Sequence, residues 1–508
     1  LKIVTAQDMY KVDRWTMEAA SLPEVLLMEN AGRALGKELE VEKGSVLLLA
    51  GKGNNGGDAI AAARFLAECN REVALWLLHP PEDLSQTAQK HLHAYIKAGH
   101  AYDVYSAQEP EPLFLAIEQA EVVVDAMLGL GAKGAPRPPC DELIKRANQA
   151  QGRRIAVDIP SGVAHALHEG PVFKADETFT LHAPKQSAFE PQWTPFYGKL
   201  HVLDIGIPKK AFDVTDSALQ LWEWRDVLRT FPQKPDDAHK GTSGKACLFA
   251  GSPEMPGAAV LAGKAALRGG AGLTTLALPK SLVSMVTQAL TEATYLQCQE
   301  DFAGSFSGVL PDVTPFDAIA VGPGVGRQQG SARLVEQLMR RTKAPLVMDA
   351  DALYHLSRHL EDLKHRTWPT ILTPHPGEMA RLCGLSIKEV QADRFRVSRD
   401  FAKMHRIYLV LKGPHTLITT PEGRQFVNST GNAALAKGGT GDVLTGLVTA
   451  LLMVHDHIDD ALCNAVYLHG KAADTLVDRG HSMIGVVATD VINTLSSVLC
   501  TVENQKSI

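Results

Sequence analysis

The sequence predicts an α/β protein built from two doubly wound domains. Three observations carry this reading. Short apolar, β-branched runs alternate with amphipathic helical stretches along most of the chain. The alternation lapses over 222–241, where aromatics, prolines and charges mix without period, and then restarts. Each half also carries a glycine-crowded loop with an Asp, leading into an apolar helical pattern: "GKGNNGGDAI" at 51–60 and "AKGGTGDVLTG" at 436–446. A chain of 508 residues is too long for one core. It suits two domains of roughly 200–280 residues, divided here into 1–220 and 221–508.

The first half opens with a helical segment, "LPEVLLMENAGRALGKELE" (22–40). A strand at 45–50, "SVLLLA", precedes the glycine turn and the helix "DAIAAARFLAEC". Further strands fall at 73–78, 121–129, 153–162, "TFTLHAP" and "KLHVLDIGIP", with a helix around "TAQKHLHAYIKAG". Their continuous apolar runs fit parallel strands covered on both faces. The second half places strands at "KACLFAGS", "LTTLALP", "DAIAVGPG", "PLVMDADAL", "TILTPHPGE" and "IYLVLKG", and ends in helices from Asp442 on. Trp222 and Trp224 are expected to pack the end of one domain.

Composition narrows the function. The chain is 45% hydrophobic and 21% charged, as in soluble globular proteins. A net charge of −6 and the lack of a lysine- or arginine-rich run argue against a nucleic-acid surface. There is no apolar run of membrane-span length and no basic-then-apolar leader pattern, so no membrane partner and a cytoplasmic location are expected. The seven scattered cysteines form no CxxC pair, which points to free thiols rather than zinc or disulfides.

The first glycine loop follows a strand and opens a helix, where backbone N–H groups and the helix dipole suit phosphate. It is neither GxGxxG nor a loop ending in GK[ST], and a plain turn that needs glycine fits it too. Asp125 and Asp158 end two strands, and Ser161 follows in "DIPSG"; ligands of doubly wound sheets gather at such ends. Each Asp alone also fits a helix N-cap. "GLGAKGAPRPP" (129–139) either closes over a phosphate or forms a surface turn.

In the second loop Asp442 falls in the first turn of an apolar helix. The N–H groups of 439–441 form an anion hole, beside which Asp442 can take a proton from a hydroxyl during phosphoryl transfer. An N-cap Asp is the plain alternative, though it leaves the glycine crowding unexplained. "KGPHT" (412–416), "LTPHPGE" with His375 between prolines, "VGPGVG" (321–326) and "GSPEMPGAA" (251–259) follow other strands and build towards the same cleft. His375 standing alone reads more readily as a loop residue in a rigid turn.

Through "HKGTSGKACLFAGSPEMPGAAVLAGKAALRGGAGLTTLALP", "VGPGVG", "DADAL", "LTPHPGEMARL", "LKGPHT" and "GNAALAKGGTGDVLTG", the second half resembles the ADP- or ATP-dependent NAD(P)H-hydrate dehydratases, which have the ribokinase-like fold. Through "LMENAG", "GKGNNGGDAI", "VVVDAMLGLGAKG" and "AVDIPSG", the first half resembles the NAD(P)H-hydrate epimerases, implying a Rossmann-like three-layer sandwich. Together these cover nearly the whole chain, in the order of the bifunctional bacterial repair enzymes. Ala59 and Ala433 depart from a common glycine and a frequent proline.

The resemblance implies two sites. In the first, Asn54, Asn55, Gly56, Gly57 and Asp58, with Gly129, Leu130, Gly131, Ala132, Lys133, Gly134 and Ala135, cradle the hydrated NADH or NADPH. Asp158 is the acid/base there, and Asn55, Asp125 and Ser161 hold K⁺. In the second, Lys412, Gly413, Pro414, His415 and Thr416 contact ADP together with Asn432, Gly438, Gly439, Thr440 and Gly441. Ala258, Gly324, His375 and the catalytic Asp442 face the hydrate, and Mg²⁺ accompanies the phosphates. ADP is favoured over ATP by family habit alone, and a homo-oligomer is expected. Two rival readings are a ribokinase-like kinase for a vitamin precursor and a non-catalytic, scaffolding first domain.

Overall fold

The structure is a computed structural model of residues 1–508; it describes all of them except 70, 165–167, 216, 235–236, 238–242 and 507–508. The start of the resembling segment at 239–242 and most of the expected junction's second half therefore lie outside the described residues. The chain forms two compact units, Lys2–Ser217 and Ala218–Ile508, with Leu1 grouped in the second. The division falls before the expected 220/221 for a physical reason. The strand Leu219–Trp222 pairs in parallel with Gln425–Asn428, so its backbone hydrogen bonds commit it to the second sheet.

In the first unit seven strands form one sheet: β1 (Val46–Ala50), β2 (Val73–Leu77), β3 (Asp103–Val104), β4 (Val122–Ala126), β5 (Arg153–Val157), β6 (Glu177–Leu181) and β7 (Lys199–Leu203). Their order is β3-β2-β1-β4-β5-β6-β7, and every pairing is parallel. All five residues of β1 and of β4 are buried, because helices cover both faces. The chain reverses its direction of growth between β1 and β4, the switch point where such sheets open a crevice. Three helices matter for what lies there: α1 (Ala6–Glu18), α2 (Glu24–Glu40) and α3 (Asn54–Glu68).

The second sheet has ten strands: β8 (Leu219–Trp222), β9 (Lys245–Phe249), β10 (Leu273–Pro279), β11 (Thr294–Cys298), β12 (Ala318–Val321), β13 (Leu346–Met348), β14 (Thr370–Leu372), β15 (Tyr408–Leu411), β16 (Leu417–Thr419) and β17 (Gln425–Asn428). They run β11-β10-β9-β12-β13-β14-β15-β16-β17-β8, with the switch point between β9 and β12. The parallel expectation fails near one edge, where β16 runs antiparallel to both β15 and β17, while the outer strand β8 is parallel to β17. Only five residues separate β15 from β16, enough for a hairpin and too few for a crossover helix. Trp222 packs in this unit, donating from its indole to Asn464 Oδ1 at 3.0 Å.

Helices α4 (Pro256–Arg268) and α6 (Thr440–Val454) pack closely over this sheet, while α5 (Pro376–Cys383) follows β14. Gly446 permits the α4–α6 contact, since a Cβ there would stand 2.0 Å from the Ala262 carbonyl oxygen. Gly446→Ala is accordingly expected to destabilise the protein. Helix propensity favours Ala by about 1 kcal/mol, but the clash with backbone costs about 1–3 kcal/mol and here sits at the upper end. Thermal unfolding of the two proteins decides the sign, and a stabilised variant would contradict this packing.

Candidate active sites

In the first unit, α3 begins at Asn54 behind Gly53, so Asp58 lies in the second turn of the helix rather than at the loop tip. Gly53, Asn54, Asn55 and Asp58 line a cavity of about 520 Å³, with Gly129, Leu130, Gly131 and Ala132 of the loop after β4, and Asp158 after β5. Gly56 and Gly57 serve packing: a Cβ on Gly56 would stand 1.9 Å from the Gly51 oxygen, and one on Gly57 2.6 Å from the Met28 side chain. Lys133, Gly134 and Ala135 are exposed and line no part of the cavity. Neither Asp125 nor Asp158 caps a helix, so the plain capping alternative fails for both.

Asp125 is wholly buried beneath the cavity wall. It accepts from Ser161 Oγ at 2.6 Å, Ser161 N at 2.7 Å and Met127 N at 3.1 Å. Burial nonetheless pushes its carboxyl up to about 6 against these hydrogen bonds. Leu128 links the group to the cavity: its N–H donates to Ser161 Oγ at 2.9 Å and its carbonyl accepts from Asn55 Nδ2 at 2.9 Å. Asn55 Oδ1 is left buried with no hydrogen-bond partner.

Asp158 adopts φ 65°, a strained backbone for a residue with a side chain. Its Oδ1 accepts from Leu181 N at 3.0 Å, from Thr180 Oγ1 at 3.2 Å and from the Lys185 ammonium. Lys185, only 2% exposed, spends its remaining hydrogens on Leu181 O at 2.9 Å and Thr180 Oγ1 at 3.1 Å. Sequence reasoning missed Lys185. Its one signal was a charged residue four positions after an apolar strand.

In the second unit the strand-end loops are joined by charge. Lys412, after β15, donates to Asp349 Oδ1, after β13, at 2.7 Å, and stands 4.0 Å from Glu378 Oε2 on α5. Asp349 Oδ2 in turn accepts from Thr445 Oγ1 of α6 at 2.8 Å. Burial alone depresses the Lys412 ammonium, but the two carboxylates outweigh it and hold it above its usual value. Gly439, with φ 90°, caps α6, and Thr440, Gly441 and Asp442 form its first turn, with their N–H groups at the open end. A Cβ on Gly441 would lie 3.6 Å from Lys412 Nζ and 3.8 Å from Asp349 Oδ2, which puts the helix start directly over the ion pair. Among the described residues no hydrogen bond reaches the Asp442 carboxylate. Burial first, and Asp349 second, push it up to about 7 against the pull of Lys412.

The remaining expected residues divide. Ala258 and Gly324 meet at the β9/β12 switch point, where a Cβ on Gly324 would stand 3.0 Å from Ala258 Cβ. His375 is the N-cap of α5, its Nδ1 accepting from Gly377 N at 3.0 Å, while its Nε2 lies 3.4 Å from Glu378 Oε1. Asn432 is anchored by its own contacts, accepting from Ala434 N at 3.0 Å and donating to Asp474 at 2.9 Å. Thr440 Oγ1 donates to Leu435 O at 2.8 Å, and Gly438 has open space around it. Gly413 has φ 137°, and Thr416 Oγ1 closes the turn on Gly413 O at 3.1 Å. Buried Arg394 grips Pro414 O at 2.8 Å and Leu411 O at 3.2 Å. Burial first, with Arg394 adding, pushes His415 down to about 4, so it is neutral. Asp349 and Glu378 lay inside "PLVMDADAL" and "LTPHPGE" but carried no spacing signal of their own, and Arg394 stood in none of the motifs.

The second unit therefore holds an ionisable carboxylate at an open helix N-terminus, and the first a lysine-held carboxylate in a cavity. The fold is that of an α/β enzyme of two doubly wound units, the second of them ribokinase-like. The comparisons agree. The NAD(P)H-hydrate dehydratase family model matches 246–497, and that for the YjeF-related protein N-terminus matches 24–187. The chain is 34% identical to the bifunctional NAD(P)H-hydrate repair enzyme of Moorella thermoacetica, over 99% of this chain and 97% of that one. The crystal structure of the ADP/ATP-dependent NAD(P)H-hydrate dehydratase from Bacillus subtilis, co-crystallised with ATP/Mg²⁺, is 35% identical. It covers 56% of this chain and 99% of its own, with a TM-score of 0.51. A ribokinase-like superfamily protein from Enterococcus faecalis, 24% identical over 57% of this chain and 98% of its own, shares the fold at a TM-score of 0.50. The chain belongs to the family of bifunctional NAD(P)H-hydrate repair enzymes. No helix among the described residues is long and apolar enough to cross a membrane.

The raised Asp442 carboxyl has a consequence for stability. Its value in the folded protein, about 7, exceeds the ordinary 3.8, so folding favours the protonated form. Stability from this group is full below pH 4 and is lost as pH rises through 7. Asp442→Asn is expected to stabilise the second unit by about 1–3 kcal/mol at pH 8 and by almost nothing at pH 4. Thermal unfolding at the two pH values checks this; an equal effect at both would contradict it.

Proposed function

We propose that the chain restores NADH and NADPH whose nicotinamide ring has taken up water across its 5,6 double bond. The first unit interconverts the R and S hydrates, and the second dehydrates the S form with ADP. The observation that carries the reading is the position of Asp442, half-buried and raised to about 7 at the open N-terminus of α6. A base with that value exchanges protons near neutral pH.

In the second unit Asp442 takes the proton of the C6 hydroxyl as that oxygen attacks the terminal phosphorus of ADP. The N–H groups of Thr440 and Gly441 meet the charge on the transferring phosphoryl group, and AMP leaves. The ring nitrogen lone pair then expels phosphate from C6, and loss of the C5 proton restores the dihydronicotinamide. Lys412, Gly413, Pro414, His415 and Thr416 bind the nucleotide with Asn432, Gly438 and Gly439, while Ala258, Gly324 and His375 face the hydrate. The described residues hold no group of three His, Cys, Asp or Glu side chains suited to a metal ion. Mg²⁺ accordingly arrives with the phosphates of ADP, where it supplies charge neutralisation.

In the first unit Asp158, held by Lys185, takes the hydroxyl proton as the hydrate opens and returns it as the ring recloses on the other face. Asn54, Asn55, Asp58 and Gly129, Leu130, Gly131 and Ala132 bind the dinucleotide. Gly56 and Gly57 let α3 approach its neighbours, and Lys133, Gly134 and Ala135 form the outer rim of that loop. K⁺ fits Asn55, Asp125 and Ser161: all three offer oxygen, and Asn55 Oδ1 is buried without a partner. When bound, it supplies a positive charge beside a buried carboxylate.

The test is recovery of reduced-nicotinamide absorbance from a racemic hydrate with Mg²⁺ and ADP. The wild-type protein is expected to recover all of it, faster than spontaneous epimerisation allows. Asp158→Asn is expected to stall near half, and Asp442→Asn to slow recovery by about 10²–10⁴-fold. No recovery with ADP or ATP would favour a small-molecule kinase instead, and full, fast recovery by Asp158→Asn would remove that residue's role.

A further inference from the structure

The family model of the first unit begins at residue 24, so α1 lies outside it. The helix is nevertheless built into the cavity. Thr5 and Asp8 cap it reciprocally, Thr5 Oγ1 accepting from Asp8 N at 3.1 Å and Asp8 Oδ2 from Thr5 N at 3.2 Å. The strand-like segment before it brackets Lys185: Val4 N donates to Pro184 O at 3.0 Å, and Gln186 N to Val4 O at 2.9 Å. The segment that fixes the lysine of Asp158 thus also delivers Tyr10 and Asp13 to the cavity wall.

Seven titratable groups besides Asp13 face this space: Tyr10 on α1, Glu24 on α2, Lys52 before α3, Asp58 on α3, His79 after β2, Asp158 and Lys185. Burial first, and Lys52 second, lower His79, so it is not the group whose acid form is held up. Glu24 is committed, accepting from Asn54 Nδ2 at 2.7 Å and Thr87 Oγ1 at 2.6 Å. Asp158 is committed to Lys185. Asp58 is more enclosed, at 8% exposure. Asp13 is half-buried, lines the cavity, and takes no hydrogen bond or ion pair among the described residues.

We propose that Asp13 is a second catalytic residue of the epimerase cavity, the acid that protonates the ring nitrogen while Asp158 handles the hydroxyl. This rests on the epimerase reading above. The hydrate opens when Asp158 takes the C6 hydroxyl proton, the C6–O bond becomes a carbonyl and the C6–N1 bond breaks. The electron pair of that bond goes to N1, which takes its proton from Asp13. After rotation about C5–C6, N1 attacks the other face of the carbonyl, its proton returns to Asp13, and Asp158 returns the other to oxygen. No proton or electron is gained or lost overall. Burial first, with Asp158 and Glu24 adding and Lys185 opposing, pushes the Asp13 carboxyl up to about 6, which keeps a protonated fraction near neutrality. Two carboxyls in unlike surroundings, Asp158 on its lysine and Asp13 without a partner among the described residues, let one site hold a base and an acid together.

The experiment follows purified S hydrate to the R form by chromatography, with the full chain and no nucleotide, after subtraction of the spontaneous rate. With the acid form required, wild-type kcat/KM is expected to fall as pH rises beyond about 6. Asp13→Asn is expected to lose about 10²–10⁴-fold in kcat with little change in KM, and its residual rate to lack that fall. Asp13→Glu restores most of the rate. Thermal unfolding and circular dichroism, unchanged in both variants, report that the first unit is folded, and ADP-dependent dehydration reports on the second. Wild-type rate in Asp13→Asn, or a loss that appears in KM and is shared by Asp13→Glu, overturns the role of Asp13 alone. No R/S exchange in the wild-type protein overturns the epimerase reading instead.

Discussion

The second unit is organised around the ion pair between Lys412 and Asp349. Two charges taken out of water are costly unless each is met at close range, and removing one partner of such a pair costs about 3–5 kcal/mol. Here the pair ties two loops and two helices together. Asp349 follows β13, Lys412 follows β15, Glu378 stands on α5 after β14, and Thr445 reaches Asp349 from α6. One ammonium cannot serve every carboxylate nearby. Asp349 takes it, and Asp442, over the same pair, is left with burial and a neighbouring negative charge. That surplus is what raises the Asp442 carboxyl to about 7, as the proposed role of a base requires.

The first unit solves the same problem differently. Lys185 is committed to Asp158 so completely that its remaining hydrogens go to Leu181 O and Thr180 Oγ1. The positive φ of Asp158 and the donors around Oδ1 leave Oδ2 as its available oxygen. Asp13 and Asp58 then face the cavity without a cation of their own, and burial raises both. In each unit a single lysine is taken up by one carboxylate and leaves others without a cation of their own.

Much of this was legible in the sequence. Strands buried on both faces read as continuous apolar runs, and glycine loops after them marked the switch points. The β15–β17 edge was not legible, because strands of three or four residues are shorter than any period can reveal. Helix starts were displaced for a similar reason: the "NNGGD" glycines read as loop, yet Gly56 and Gly57 are helical because only glycine allows α3 so close to Gly51 and Met28. Asp442, Asp158 and Asp125 announced themselves by standing at strand or helix ends among glycines. Lys185, Asp349 and Glu378 did not, since each is engaged by a group more than twenty residues away, and Asp13 did not, since only the tertiary fold brings it to the cavity. Their roles are set by tertiary charge balance, which a local pattern does not encode.

The most direct test of this account is the pH dependence of kcat/KM for ADP-dependent dehydration of purified S hydrate. If Asp442 is the base and its environment holds it near 7, the rate rises with pH through a single ionisation near 7 and levels above it. A rate that stays flat down to pH 5 would contradict the account, because the base would then be an ordinary carboxylate or a different group.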